Sequence, residues 1–299
     1  MVTEHIKVSQ LYIYPIKSCR GVPQTSLTIN QYGFKYDRQW AIITSDMNKL
    51  SQRESPRMVL ITPNIHEDPN HPTGGTLTLT APGMEELELP LVPTQAIVQR
   101  KVVVQVWADK VDAYDMGDAA AEWLSRFLGK EVRLVHKSLE GIRKVEHHTP
   151  SEQELGFQAQ SAFQDYFPML LISEASLEDL NSRLETPVHI LHFRPNVVVS
   201  GCSPFSEDTW LSFTIGGVEY HVACRCTRCT IPNVNHETGE PHPKHQPQRT
   251  LQGYRRVDKG APYTACFGMN CVMKTTSGSV SIGDELTVLA TGEHLRKIK

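Results

Sequence analysis

The sequence predicts a mainly β protein in two parts, an α+β chain with closed or sandwich-like sheets and a few helices. Three observations carry that expectation. Over about the first 110 residues, short runs rich in β-branched and aromatic residues follow one another, each bounded by Gly, Pro, Asn or Asp. Only two segments have the composition and end signals of a substantial helix. Finally, the stretch 137–160 is polar, poor in strand signals and carries the pair His147-His148, so it reads as a boundary or mobile segment between two groups of apolar runs.

Taken in order, the strand candidates are 8–14, 26–29, 40–44, 58–62, 76–80, 86–91 and 101–107. The stretch 63–75, with three prolines and two glycines, reads as a surface loop. Asp118 is placed to cap a helix over 119–128, and Gly129 to stop it. A second helix is expected over 174–185, capped by Ser173 or Ser176, with Leu177, Leu180 and Leu184 on one face. Strands at 196–200, 211–215, 218–222, 270–273 and 279–289 follow. The expected domains are 5–136 and 137–291.

Composition narrows the function classes. A chain of 299 residues has room for one large domain or two ordinary ones. Its formal charge of −3 argues against a nucleic-acid binder, which carries a basic domain or stripe. No apolar run approaches the ~18 residues of a membrane span, and the N-terminus lacks a signal-peptide core, so a soluble, cytoplasmic protein is expected. Seven cysteines are an odd number, and in that compartment they serve as metal ligands, catalytic groups or small apolar residues rather than a disulfide framework.

Three of those cysteines crowd into Cys224-Arg225-Cys226-Thr227-Arg228-Cys229, where the 218–222 strand is expected to run out into a loop. Neighbouring arginines favour thiolate, the form that binds metals, and they also suit a phosphate or carboxylate. Cys226-x-x-Cys229 has the spacing of half a zinc site, and His236, His242 and His245 follow, so a structural zinc on Cys226, Cys229, His242 and His245 is one reading. Three further segments place cations at strand ends. Tyr14-Pro-Ile-Lys-Ser-Cys-Arg-Gly21 presents Lys17 and Ser18; Asp37-Arg38-Gln39-Trp40 presents Arg38, beside an aspartate that suits a structural ion pair; Phe193-Arg-Pro-Asn-Val presents Arg194 and Asn196. Together, Lys17, Arg38, Arg194 and Arg228 are four cations at strand ends of a near-neutral chain, with a candidate thiolate beside one of them. That combination suits an anionic cofactor that offers a soft metal.

Read with Ile-Ser-Glu-Ala-Ser-Leu, Thr-Arg-Cys and Phe-Gly-Met-Asn, these segments resemble the MOSC proteins, and within them the mitochondrial amidoxime-reducing components and their bacterial relatives. The resemblance runs from about Val8 to about Leu289 in family order. It implies an N-terminal MOSC-N β-barrel domain joined to a MOSC β-barrel domain, with a molybdenum cofactor (Mo-molybdopterin) between them. By motif matching, Cys229 is implied as the metal ligand and catalytic residue, and Lys17, Ser18, Arg38, Arg194, Asn196, Thr227 and Arg228 as cofactor contacts; Cys224 and Cys226 become structural neighbours. The implied activity is reduction of N-hydroxylated compounds, amidoximes and hydroxylamines, by oxygen removal at molybdenum. Electrons would come from a separate donor, cytochrome b5 and its reductase or a ferredoxin or flavin reductase, because Cys266-x4-Cys271 does not complete an iron–sulfur motif. Animal members carry an N-terminal targeting and membrane segment, so a mitochondrial association is implied where such an anchor precedes the chain. Asn270 stands where those members have a tyrosine. The rival reading within the family is a sulfur carrier like the MOSC part of the cofactor sulfurase, whose pyridoxal-phosphate domain has no room here.

Overall fold

Seven strands close into a barrel in the computed structural model, which describes residues 5–145 and 148–295; His147 lies outside the described residues. Around the barrel they run Ile6–Ile13, Val197–Ser200, Met169–Ser173, Cys266–Met273, Val218–Thr227, Trp210–Ile215 and Glu285–Thr291, which pairs back onto the first. All of these pairings are antiparallel except that of Met169–Ser173 with Val197–Ser200. The first strand of the chain therefore closes a barrel whose other members all lie after residue 168.

Side-chain alternation explains why that strand serves two sides. Ile6 and Val8 point into the barrel core, and so do Leu11 and Ile13, because a register shift between Val8 and Gln10 flips the parity. Tyr12 and Tyr14 consequently face outward, into a separate cluster with Phe193 and Phe267. Inside the barrel, Phe213 and Tyr220 stack at 5.1 Å. Burying each such ring contributes roughly 1.5–3 kcal/mol.

The first half of the chain adds two antiparallel sheets. One orders Trp40–Thr44, Val132–Lys137, Asp109–Asp115 and Lys101–Val106; the other orders Thr62–Glu67, Gly75–Thr80 and Leu87–Pro90. Helix Asp118–Leu128 packs with both, its Trp123, Leu124 and Phe127 sharing a core with Trp40, Ile42, Leu77, Leu79 and Leu134.

The mainly β class is as the sequence predicts, and several local expectations are corrected. Residues 56–60 form a 3-10 helix (Pro56–Leu60), not a strand, because Pro56 starts a helical turn and the Ser51 carbonyl already receives the Ser55 amide. The expected loop 63–75 is partly corrected: residues 63–67 belong to a strand paired from Thr62 opposite Thr80 to Glu67 opposite Gly75, and residues 68–74 form the connecting loop. Pro63 is tolerated there at the start of an outer strand of its sheet. Gly117, not Asp118, precedes the first helix, and the Asp118 carboxylate goes to Arg133 at 2.7 Å. Gly129 does end it, at φ 68°. Ser173 caps the second helix through the Ser176 amide, but that helix stops at Asn181. The run 279–289 is broken into Ser279–Ser281 and Glu285–Thr291 by a turn at Gly283. Among the described residues no helix is long and apolar enough to cross a membrane.

Candidate active site

Four strand ends converge on a cavity of about 460 Å³. Its wall contains Lys17, Ser18, Arg38, Arg194, Asn196, Thr227, Arg228 and Cys229, so side chains more than 200 positions apart in the sequence meet in one place. The backbone there is unusual. Ser18 (φ 67°), Arg38 (φ 48°) and Arg194 (φ 59°) all occupy the left-handed region, which non-glycine residues seldom adopt and which clusters at functional sites. Each is pinned. The Arg38 amide donates to the Tyr14 carbonyl at 2.8 Å, the Arg194 amide donates to Leu191 at 3.1 Å, and the Gln52 side chain donates to the Ser18 carbonyl at 2.6 Å.

One buried carboxylate organises the Arg38 side of the cavity. Asp37, fully buried, accepts from the Tyr14 amide (2.9 Å), from Asn196 Nδ2 (3.0 Å) and from Arg38 Nη1 (2.6 Å). Asn196 Oδ1 in turn accepts from Arg38 and from the Leu170 amide, each at 3.2 Å. Its amide is thus consumed by the network, and Asn196 acts on a ligand by holding Arg38. The guanidinium carbons of Arg38 and Arg194 both lie 4.3 Å from the centre of the Tyr14 ring. Burial, and then the neighbouring Arg38, pull Arg194 down to about 10. Arg194 Nη1 donates to the Cys19 carbonyl at 2.6 Å, whereas its buried Nη2 has no partner among the described residues. A buried guanidinium nitrogen without an acceptor, on the wall of a cavity, is what an anion completes.

Lys17 occupies another part of the wall. Its ammonium donates to the Phe163 carbonyl at 2.7 Å and to Asp165 at 2.6 Å, and burial still pushes it down to about 8. Against the desolvation that would raise it, the Lys17 charge holds the Asp165 carboxyl well below the ordinary carboxylate range. Of the ionisable lining groups five are Lys or Arg (17, 38, 53, 194, 228) and one, Asp165, is acidic, in a chain whose net charge is −3. Such a concentration of one sign selects an anionic ligand.

Strand Val218–Thr227 runs further than the sequence indicates and carries Cys224 and Cys226 within it. Two register shifts against strand Cys266–Met273, after Val222 and after Arg225, kink it around the cysteines, as bulges beside functional sites do. Cys229 lies just beyond the strand, half-buried, with the Arg53 guanidinium as its charged neighbour. Against the desolvation that would lower it, that sulfur raises Arg53 above its ordinary value. Arg228 lines the cavity, and three of its donors are spent on backbone carbonyls. Nε donates to the Phe267 carbonyl at 2.8 Å, Nη2 to the same oxygen, and Nη1 to the Phe193 carbonyl at 3.0 Å. Its place is to clamp the segment that presents Cys229. Cys224 is buried and receives the Asn270 amide at 3.6 Å.

The zinc quartet does not come together. Among the described residues no group of three His, Cys, Asp or Glu side chains is arranged to hold a metal ion. His236 stacks on His192 at 4.4 Å instead, and His242 accepts from the Lys244 amide in its own loop. Sequence reasoning missed Arg53, Asp165 and Trp107, which line the cavity, and Asp37 as its organising group. Only the Asp-Arg pairing at 37–38 offered a signal.

The sequence profile described as the MOSC N-terminal beta barrel domain matches residues 5–131, and that of the MOSC domain matches residues 158–287. The chain belongs to the MOSC family. Mitochondrial amidoxime-reducing component 1 of mouse is 36% identical over 293 residues, covering 94% of this chain and 82% of the relative. The human component 1 is 36% identical over 297 residues with the same coverage, and the human component 2 is 35% identical over 286 residues, covering 93% and 82%. These relatives are named for reducing amidoximes. Within the MOSC family, the cavity of this chain is lined by residues from both matched regions, Lys17 and Arg38 from the first and Arg194 and Cys229 from the second.

Proposed function

We propose that this protein is a molybdenum-cofactor oxidoreductase that reduces N-hydroxylated compounds, amidoximes and hydroxylamines, to the parent nitrogen base. One observation carries the reading: a thiol, Cys229, and a buried guanidinium nitrogen without a partner among the described residues, Arg194 Nη2, on the wall of one strongly cationic cavity. A pterin dithiolene with a terminal phosphate needs both, a soft protein ligand for the metal and fixed donors for the phosphate. Molybdenum, when bound, supplies the two-electron oxygen-atom chemistry.

The chain's own residues do the rest. Cys229 presents its sulfur from a segment clamped by Arg228, with the Arg53 charge on the same cavity wall. Arg194 and Arg38, held against Tyr14 and Asp37, offer donors to the phosphate. Lys17 adds charge next to Ser18, whose left-handed backbone fixes the turn. Thr227 ends the strand two residues before Cys229. Electrons come from a separate protein, by the family's example a cytochrome b5 with its reductase, or a ferredoxin or flavin reductase.

Benzamidoxime reduction by molybdenum-loaded protein with a chemical reductant tests the reading, together with metal content. Wild type should carry about one molybdenum per chain. Cys229→Ala should lose activity by more than about 100-fold, whereas Cys226→Ala keeps it within a few-fold. Zinc in place of molybdenum, a labile sulfane sulfur without molybdenum, or a fully active Cys229→Ala protein would each refute the assignment.

A further inference from the structure

Trp107 sits where a two-residue turn favours glycine. Strands Lys101–Val106 and Asp109–Asp115 pair with Val106 opposite Asp109, which leaves Trp107-Ala108 as the loop, and Trp107 takes φ 56°. A bulky residue in that region is strained, and glycine is the usual occupant of a first loop position with positive φ. The indole is nevertheless held from several sides. Its Nε1 donates to Asp165 at 3.0 Å, the Tyr166 ring stacks 6.4 Å away, and two cations lie over it, Lys49 at 4.3 Å and Arg53 at 5.1 Å from the ring centre. Strain kept in place by so many contacts, on the wall of the cavity, points to function.

The indole carries two positive charges over its ring, Lys49 beside the cavity and Arg53 on its wall. Arg53 and Cys229 line the same cavity and act on each other electrostatically, so this cationic edge lies beside the proposed reaction centre. Of the nearby carboxylates, Asp165 is paired with Lys17 at 2.6 Å and Asp109 with Arg143 at 2.8 Å, while Glu54, held by the Ser51 amide at 2.9 Å, sets one negative charge against the two of Lys49 and Arg53 and leaves this edge net positive. Among the described residues, no carboxylate lies within 4.0 Å of the Lys49 or Arg53 side-chain nitrogens. Lys17 registers the same field, since Arg143 and Lys49 add to the burial that lowers it.

We propose that Lys49 and Arg53, stationed by Trp107, make the cavity mouth selective for uncharged ligands over their cationic counterparts. Resting on the function proposed above, this names the charge class of the substrate and gives a route for product release. Reduction of an amidoxime takes two electrons from the reductant and two protons, cleaves the N–O bond and releases water. The substrate is neutral at pH 7. The amidine product is a strong base and takes a further proton from solvent, so it leaves as a cation from a mouth that repels it.

Binding of benzamidine, a cation, and benzamide, its neutral counterpart of similar shape, tests this without turnover. Ligand-observed NMR titrations on the cofactor-loaded protein would compare wild type with Lys49→Gln and Lys49→Glu, circular dichroism reporting the fold. One unit charge about 8 Å from the ligand, at an effective dielectric of about 40, changes affinity about fivefold. Wild type should therefore prefer benzamide by at least about fivefold at low salt. The preference should shrink as salt screens it. It should shrink again in Lys49→Gln and fall by a further factor of about five in Lys49→Glu. No preference for benzamide in wild type, or a preference unchanged in folded Lys49→Glu, overturns the proposal. A protein that shows the preference yet reduces no amidoxime would count against the function reading and leave the mouth's selectivity standing.

Discussion

Replacing Asp37 with asparagine keeps the shape of the side chain and removes one buried negative charge. In the wild type that carboxylate is fully buried and accepts from Tyr14, Asn196 and Arg38, the last at 2.6 Å. In Asp37→Asn the Arg38 guanidinium faces an amide, while Arg194, on the same Tyr14 ring, still repels it. Removing one partner of a buried ion pair costs roughly 3–5 kcal/mol. The Arg38 side chain keeps 13% of its exposure, and the new amide retains an acceptor oxygen, so the lower end, about 3 kcal/mol, is expected. With an unfolding entropy of about 2.1 cal/mol/K per residue, that lowers the melting temperature of the chain by about 5 °C. The same change leaves the anion site one charge more positive, so inorganic phosphate should bind about fivefold more tightly. Thermal melts of the cofactor-free protein over a phosphate series measure both effects. The variant starts lower, and saturating phosphate narrows the gap, since a ligand that binds only the folded state raises its stability. An unchanged melting temperature without phosphate, or a gap that widens as phosphate is added, would refute the argument that Asp37 balances two arginines meant for an anion.

Two further outcomes concern stability. Burial pushes His136, packed edge-on against Trp40 at 4.8 Å, down to about 4. Its folded value lies below its unfolded one, so the stability tied to its neutral ring is complete above about pH 6.5 and lost as pH falls toward 4; the full shift corresponds to about 3 kcal/mol. Urea unfolding between pH 7 and 4 should show that slope, and His136→Leu should flatten it; an equal slope in the variant would assign the loss to other groups. Gly268, at φ 77° within strand Cys266–Met273, has no room for a Cβ, which would lie 2.5 Å from Ile172 Cγ1 and 2.7 Å from the Leu171 carbonyl. Gly268→Ala should lose about 2 kcal/mol or more in urea unfolding; because the neighbouring Phe267 carbonyl anchors Arg228, retention of molybdenum should fall with it. A variant as stable as the wild type would show that the strand relaxes there freely.

Much of the site was legible because its residues sit in short local motifs. Lys17 and Ser18 follow one strand, Arg38 opens another, Arg194 and Asn196 precede a third, and Cys229 follows a fourth. Strand ends are where β-rich chains present polar groups, so each motif announced a position even before its partners were known. What stayed hidden acts across the fold. Arg53 looks like an ordinary surface arginine until the fold brings it to Cys229. Asp165 is one acid in a polar stretch until Lys17 reaches it. The place of Arg228 beside Cys229 indicates a lining residue, and only the fold shows that three of its donors turn to the Phe267 and Phe193 carbonyls, a choice made largely by strand Cys266–Met273. The strand at 63–67 is hidden for the same reason. Pro63 and the polar residues after it signal a loop locally, and only pairing with Gly75–Thr80 makes a strand of residues 63–67, while 68–74 remain the loop the sequence indicates.

The amino-acid sequence by itself determined the mainly β class, the family, and the motifs from which the cavity is built, since alternation, turn residues and motif order are all written along the chain. Only the tertiary structure decided that strand Ile6–Ile13 closes the barrel of the second half and that a bulge after Val8 turns Tyr14 outward to receive two arginines. It also decided that Trp107, at a turn position that favours glycine, lies on the cavity wall beneath Lys49 and Arg53. Those outcomes depend on register and on contacts between residues far apart in the chain, where a shift of one residue reverses every side chain, and no local pattern encodes them.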